Sequence, residues 1–215
     1  MRVLLFDLYG LFMRIQTPAD VAHIHAAAEL ANFGVKATDF DRIYHELRGP
    51  LDAGTWSFAQ YLTQIGNRLG ADIGGDPRRI AAVEEADYYS WSHHDPAMVT
   101  WLEELRANGV VPGLLSNIPT NILAKNRARF PWLKLFKPAI FSCEVGLAKP
   151  DPAIYRLAAT QMNAPPHDIL FLDDTAVNIP PAHAVGMTAV LFTDEATART
   201  DVHAFLNGEP IGQLQ

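Results

Sequence analysis

Cysteine is nearly missing from this 215-residue chain, which carries one, Cys143. A lone thiol closes no internal bridge, so a disulfide scaffold is excluded and a reducing compartment is favoured. Cys143 itself is expected as a small buried hydrophobe. Any basic stripe is missing too: 17 Lys and Arg face 24 Asp and Glu, for a formal net charge of −7. Nucleic acid is therefore not an expected partner, and an anionic substrate would need local positive charge or a metal. No apolar run approaches the roughly 20 residues that span a bilayer. The opening run is stopped by Asp7 and is too short for a signal-peptide core, so a cytoplasmic location with no membrane partner is expected. Internal repeats, low-complexity tracts and Gly/Ser linkers are also absent, and nothing signals an oligomeric state. Against these absences stand 49% hydrophobic and 19% charged residues, enough for one substantial core and a smaller appended unit.

Five short apolar segments punctuate the chain. After the first, "VLLF", come Val110 to Leu115, Ala139 to Ser142, Ile169 to Leu172 and Ala189 to Phe192. Helical patterns separate them. "DPAMVTWLEELRANG" spaces Met98, Trp101, Leu102 and Leu105 on one face and stops at Gly109. "KPDPAIYRLAATQM" offers Asp151 as N-cap and Pro152 as first helical residue. Strands that are apolar almost throughout are buried on both faces, so the alternation predicts a doubly wound parallel sheet of the α/β class.

Between Arg14 and His93 the strand signals stop. Four helical stretches take their place: "DVAHIHAAAELANFG", "DFDRIYHELRG", "SFAQYLTQIGNRLG" and "RRIAAVEEADYYSW", with Ser57 and Gln60 as a capping box for the third. The expected division is a core of residues 1–13 and 94–215 and a helical cap of residues 14–93. Inserted after the first strand, the cap would lie above the strand ends, where open α/β sheets bind ligands.

Carboxylates mark those ends. "LLFDLYG" stops on Asp7, and "ILFLDDTAVN" places Asp173 and Asp174 after Leu172. Adjacent carboxylates repel unless a cation or hydrogen-bond donors hold them, and Mg²⁺ with a phosphate completing its shell would do so if the first and fourth strands are neighbours. "LLSNIPTN" brings Ser116 and Asn117 to the second strand end, with Pro119 as a first-turn residue of the next helix, a place suited to phosphate oxygens. Lys149 in "GLAKPDP" is the cation able to balance them. His93 and His94 lack metal-ligand spacing. Trp56, Tyr88, Tyr89 and Trp91 are expected in the cap core, and Arg14, Arg42 and Arg48 on a solvated surface.

Taken together, "FDLYG", "LLSN", "GLAKPDPAIY" and "FLDDTAVNIPPAHAVGM" resemble, in order, the four motifs of the haloacid dehalogenase (HAD) superfamily of hydrolases, helical-cap subgroup, over about Val3 to Leu191. The resemblance implies Asp7 as nucleophile and a Mg²⁺ held by Asp7, the Tyr9 backbone carbonyl, Asp173 and Asp174. Ser116 and Lys149 would bind the transferring group, and Asn178 would cap the last helix and steady the acidic loop. Tyr9 is a departure, because phosphatases of the superfamily usually carry a second Asp there as general acid and base. "DLYG" resembles the dehalogenase branch, in which halide leaves unprotonated; Asp173 and Asp174 resemble the metal-dependent phosphatases. Leu11 also replaces the usual Thr or Val. The expected function is Mg²⁺-dependent hydrolysis of a small phosphorylated metabolite, such as a sugar phosphate, through an aspartyl-phosphate. A metal-independent 2-haloacid dehalogenase and a catalytically weak binding protein are the alternatives, and loss of an acid–base group worth roughly 10² to 10⁴-fold predicts a slow enzyme.

Overall fold

The computed structural model of the protein describes residues 2–211. Strand β1 (Val3–Phe6) is followed by helices α1 (Pro18–Ala27), α2 (Ala37–Glu46), α3 (Arg48–Asp52), α4 (Phe58–Leu69) and α5 (Pro77–Ser90). Then come α6 (Pro96–Ala107), β2 (Gly113–Ser116), α7 (Thr120–Arg129), β3 (Ala139–Phe141), α8 (Ser142–Val145) and α9 (Pro152–Met162). The chain finishes with β4 (Ile169–Asp173), α10 (Ile179–Ala184), β5 (Thr188–Leu191) and α11 (Glu195–Asn207). All pairings are parallel and the strand order is β3-β2-β1-β4-β5. This is the doubly wound α/β sheet expected from the alternation. Among the described residues no helix is long and apolar enough to cross a membrane.

Alternation along the strands fills both faces. Leu4, Phe6, Leu170 and Leu172 point into one cluster with Trp101, Leu102 and Val202, while Leu5, Ile169 and Phe171 point into another with Ile154, Tyr155 and Ala182. Each such side chain, taken fully out of water, contributes about 1.5–3 kcal/mol. The second strand starts at Gly113 rather than Val110. Pro112 has no N–H to give a ladder; its carbonyl accepts from Lys137 N at 2.9 Å, and regular pairing begins one residue later.

Residues 14–93 hold no strand and gather their own cluster, including Phe40, Ile43, Tyr61, Leu62 and Val83. The capping box of Ser57 and Gln60 opens α4 as expected. The first helical stretch is shorter than its pattern: α1 ends at Ala27, and Glu29 turns left-handed at φ 54° before a 3₁₀ turn at Leu30–Phe33. At the base of the segment the two connections run side by side, with Arg14 N donating to His93 O at 2.7 Å and Asp95 N to Phe12 O at 2.8 Å.

Candidate active site

In this strand order the chain leaves β1 towards β2 and later returns on its other side as β4, so the switch point lies between β1 and β4. Phe6 pairs with Leu172 and Asp7 N donates to Leu172 O at 2.9 Å, which sets Asp7 beside Asp173. Lys149 lies between them. Its Nζ is 2.7 Å from Asp7 Oδ1 and 2.6 Å from Asp173 Oδ2, and all three residues are 6% exposed or less. Asn117 holds the lysine loop in place, its Oδ1 accepting from Lys149 N and its Nδ2 donating to Lys149 O, both at 2.8 Å. Asn117 thus acts through the loop that carries Lys149.

Asp173 is held in place by donors: Thr175 N reaches Oδ1 at 2.8 Å and Asn178 Nδ2 reaches both oxygens at 3.0 Å. Asn178 precedes α10, which is not the last helix, and its side chain caps nothing. Its amide is spent on Asp173, because a buried carboxylate without donors costs more than an uncapped helix end on the surface. Ser116 is fully buried, with its Oγ 3.4 Å from Asn117 O, and does not line the pocket. Pro119 is the N-cap residue of α7, one position earlier than expected.

Burial pushes the Asp7 carboxyl up to about 7, with Lys149 opposing and Asp173 adding to the rise. Burial alone would depress the Lys149 ammonium, yet Asp7 and Asp173 outweigh it and hold it above the usual range. The Asp174 carboxyl is also raised, chiefly by burial. Oxygens of Asp7, Asp173 and Asp174 lie within 4.8 Å of one another. Gly10 makes room for them: its φ is 81°, and a Cβ there would come within 2.0 Å of Asp174 Oδ2. Gly10→Ala is expected to cost about 1–3 kcal/mol in backbone strain alone, and to displace Asp174, so urea denaturation should show a clear loss. An unchanged midpoint would contradict both the left-handed strain at Gly10 and the close approach of Asp174.

The pocket over this point has a volume of about 320 Å³. Helices α2 and α3 contribute Tyr44, His45, Arg48 and Asp52 to its wall, with Trp91 beside them. Several placements differ from those expected. Arg48 is not a solvated surface charge: its side chain is 14% exposed, with Nη1 2.8 Å from Asp87 Oδ1 and from the Tyr44 hydroxyl, and Nε 3.2 Å from Asp52 Oδ1. Trp91 packs edge-on against Tyr9 at 5.0 Å rather than in the cap core. Of the other aromatics, Trp56 packs in that core, Tyr88 joins the sheet cluster and Tyr89 is half exposed. Cys143 is half-buried rather than buried. Arg14 and Arg42 are exposed as expected.

Tyr9 turns its ring towards this wall. Asn126 Nδ2 donates to its hydroxyl at 3.3 Å, and burial drives the phenol well above its usual range. Sequence reasoning missed Tyr44, His45 and Asp52. The one local signal was the Arg48/Asp52 spacing of i, i+4 around Pro50, a residue suited to the first turn of a short helix.

Residues 1–186 match the family model of haloacid dehalogenase-like hydrolases. The chain belongs to that family. Among curated relatives, bifunctional epoxide hydrolase 2 of Sus scrofa is 44% identical over 59 residues, which are 27% of this chain and 11% of that protein. The chain therefore spans about a tenth of the length of that relative. Sesquiterpene phosphatase astK of Aspergillus oryzae is 30% identical over 128 residues, 60% of this chain and 65% of that protein. A HAD family enzyme of Bacteroides thetaiotaomicron, solved with magnesium and inorganic phosphate, superposes with a TM-score of 0.70 at 19% identity, covering 90% of this chain and 94% of that one. At that identity the likeness shows the shared HAD fold.

Proposed function

We propose that this HAD-like hydrolase is a Mg²⁺-dependent phosphatase of small phosphate monoesters, with residues 14–93 as a cap over its site. The observation that carries the reading is a charge imbalance. Three carboxyl groups converge on one ammonium (+1) at a largely buried point; ionised together they leave −2, and a divalent cation neutralises that excess. The donors are all carboxylate oxygens, a set suited to a hard cation. Asp7, Asp173, Asp174 and the Tyr9 carbonyl would hold it. When bound, Mg²⁺ supplies positive charge to the phosphoryl oxygens and lets an anionic substrate approach an anionic site. A phosphatase relative and a fold neighbour with magnesium and phosphate support the same reading.

In this reading the Asp7 carboxylate attacks phosphorus, the P–O ester bond breaks and an aspartyl-phosphate forms. Water then attacks the phosphorus and frees phosphate and Asp7. Lys149 stabilises charge on the transferring group from its fixed place beside Asp7. No carboxylic acid stands at position 9 to protonate the leaving oxygen, which in this reading takes its proton from water, and turnover is correspondingly slow. Tyr9 is the observation that favours the dehalogenase alternative, since a halide needs no such proton. Chelation separates the two: phosphate-monoester hydrolysis should fall to background in excess chelator and return with Mg²⁺. Chelator-insensitive turnover of 2-haloacids would select the dehalogenase.

A further inference from the structure

The cap wall of the pocket carries a charge pattern that the phosphoryl chemistry does not use. Arg48 is its one guanidinium, and it is committed to two carboxylates, Asp87 (fully buried) and Asp52. Tyr44 adds its hydroxyl proton to Asp87, and the rings of Tyr44, Tyr61 and Trp91 stack about the guanidinium. His45, also in the wall, has its pKa lowered by burial and by Arg48, so it adds no positive charge at neutral pH. Asp52 lines the pocket and Asp87 lies buried behind it, so one positive and two negative charges leave this cluster at −1 once the Asp52 carboxyl, pushed up to about 6 by burial, is ionised.

Asp52 is the member of this group whose position is fixed from both sides. Arg48 Nε holds its Oδ1 from within the cap, and the core residue Ser142 donates its hydroxyl to the Asp52 carbonyl at 2.5 Å. The carboxylate is thereby held in the pocket opposite the strand ends. At the mouth, Ile15 and Val177 remain 58% and 61% exposed, an apolar rim.

We infer that the cap wall selects phosphate monoesters of neutral or cationic alcohols and rejects those whose leaving group carries a second anion, with Asp52 as the residue that sets this preference. This rests on the phosphatase reading and deepens it. A carboxylate on the leaving group would enter a half-enclosed, low-dielectric space facing a wall of its own sign, where like-charge juxtaposition is costly. A neutral or amino-bearing chain meets no such cost, and its methylenes cover the rim.

Three matched three-carbon esters test it in the presence of Mg²⁺: propyl phosphate, 3-aminopropyl phosphate and 3-phosphooxypropanoate. kcat/KM for the first two should exceed that for the carboxylate by about tenfold or more, equivalent to about 1.4 kcal/mol. Asp52→Asn should narrow that ratio towards unity, mostly through the KM of the carboxylate ester, and Asp52→Glu should retain it. A parent that handles the carboxylate as well as the neutral ester, or a ratio that Asp52→Asn leaves untouched, would overturn the inference. Calorimetric binding of propylphosphonate and 3-phosphonopropanoate to the parent keeps the two proposals apart. If no ester turns over but the neutral phosphonate binds tighter, the phosphatase reading fails and the charge selection stands; equal or tighter binding of 3-phosphonopropanoate sinks the charge selection.

Discussion

Asp7→Asn should abolish phosphatase turnover, by about 10⁴-fold or more, as removal of a covalent nucleophile does elsewhere, and still fold. Its effect on stability should depend on pH in a defined sense. In the metal-free protein the Asp7 carboxyl is raised to about 7, whereas unfolded it titrates near 3.9. A group whose folded pKa is raised contributes stability that is full below the unfolded pKa and is lost as pH climbs through the folded one. Asparagine carries no such loss. In chelator, Asp7→Asn should therefore melt above the parent at pH 8, and the advantage should shrink at pH 5. Excess Mg²⁺ should reverse the order, because the parent alone keeps the full set of carboxylates. Equal melting curves at both pH values would mean that the Asp7 carboxyl is not held out of water as described.

Lys149→Ala should produce two large losses together. Removing fixed positive charge beside the transferring group is expected to cut kcat by about 10² to 10³-fold. The second loss is structural. A lysine in a loop is ordinarily solvated and adds little packing, but this one is buried and paired on both sides with Asp7 and Asp173. Truncation leaves two buried carboxylates facing each other, and breaking a buried pair costs about 3–5 kcal/mol. Denaturation in chelator should show that loss, and Mg²⁺ should recover part of it. Near-normal kcat would remove Lys149 from the chemistry, and an unchanged midpoint would contradict its burial.

The sheet and the convergence of Asp7, Lys149, Asp173 and Asp174 were legible in the sequence for a physical reason. Apolar runs that end on carboxylates report a buried strand and a functional edge in the same few letters, and the parallel α/β alternation leaves few ways to arrange them. Less legible was everything that depends on distant pairing. Arg48 reads as a surface charge because its burial is decided by Asp87, 39 residues away on another helix. The break into α3 is masked by "RGPLD", where Gly49 looks like a stop but lies, with Pro50, inside a short helix that starts at Arg48. Of the two roles the pattern gives Asn178, the helix cap is not made, while its amide steadies the acidic loop by going to Asp173, a choice set by the burial of that carboxylate. Strand edges shifted by a residue or more where proline interrupts the ladder, as at Pro112.

The claim on which the rest depends is that Asp7 becomes covalently attached to the phosphoryl group. Mass spectrometry of protein quenched in acid during turnover of a phosphate monoester with Mg²⁺ tests it most directly. The account predicts a phosphoryl group on the peptide that contains Asp7, absent in Asp7→Asn and absent when chelator replaces Mg²⁺. A phosphoryl group mapped to any other residue, or full activity in Asp7→Asn, would contradict it and leave Asp7 as the end of a strand and the start of a turn.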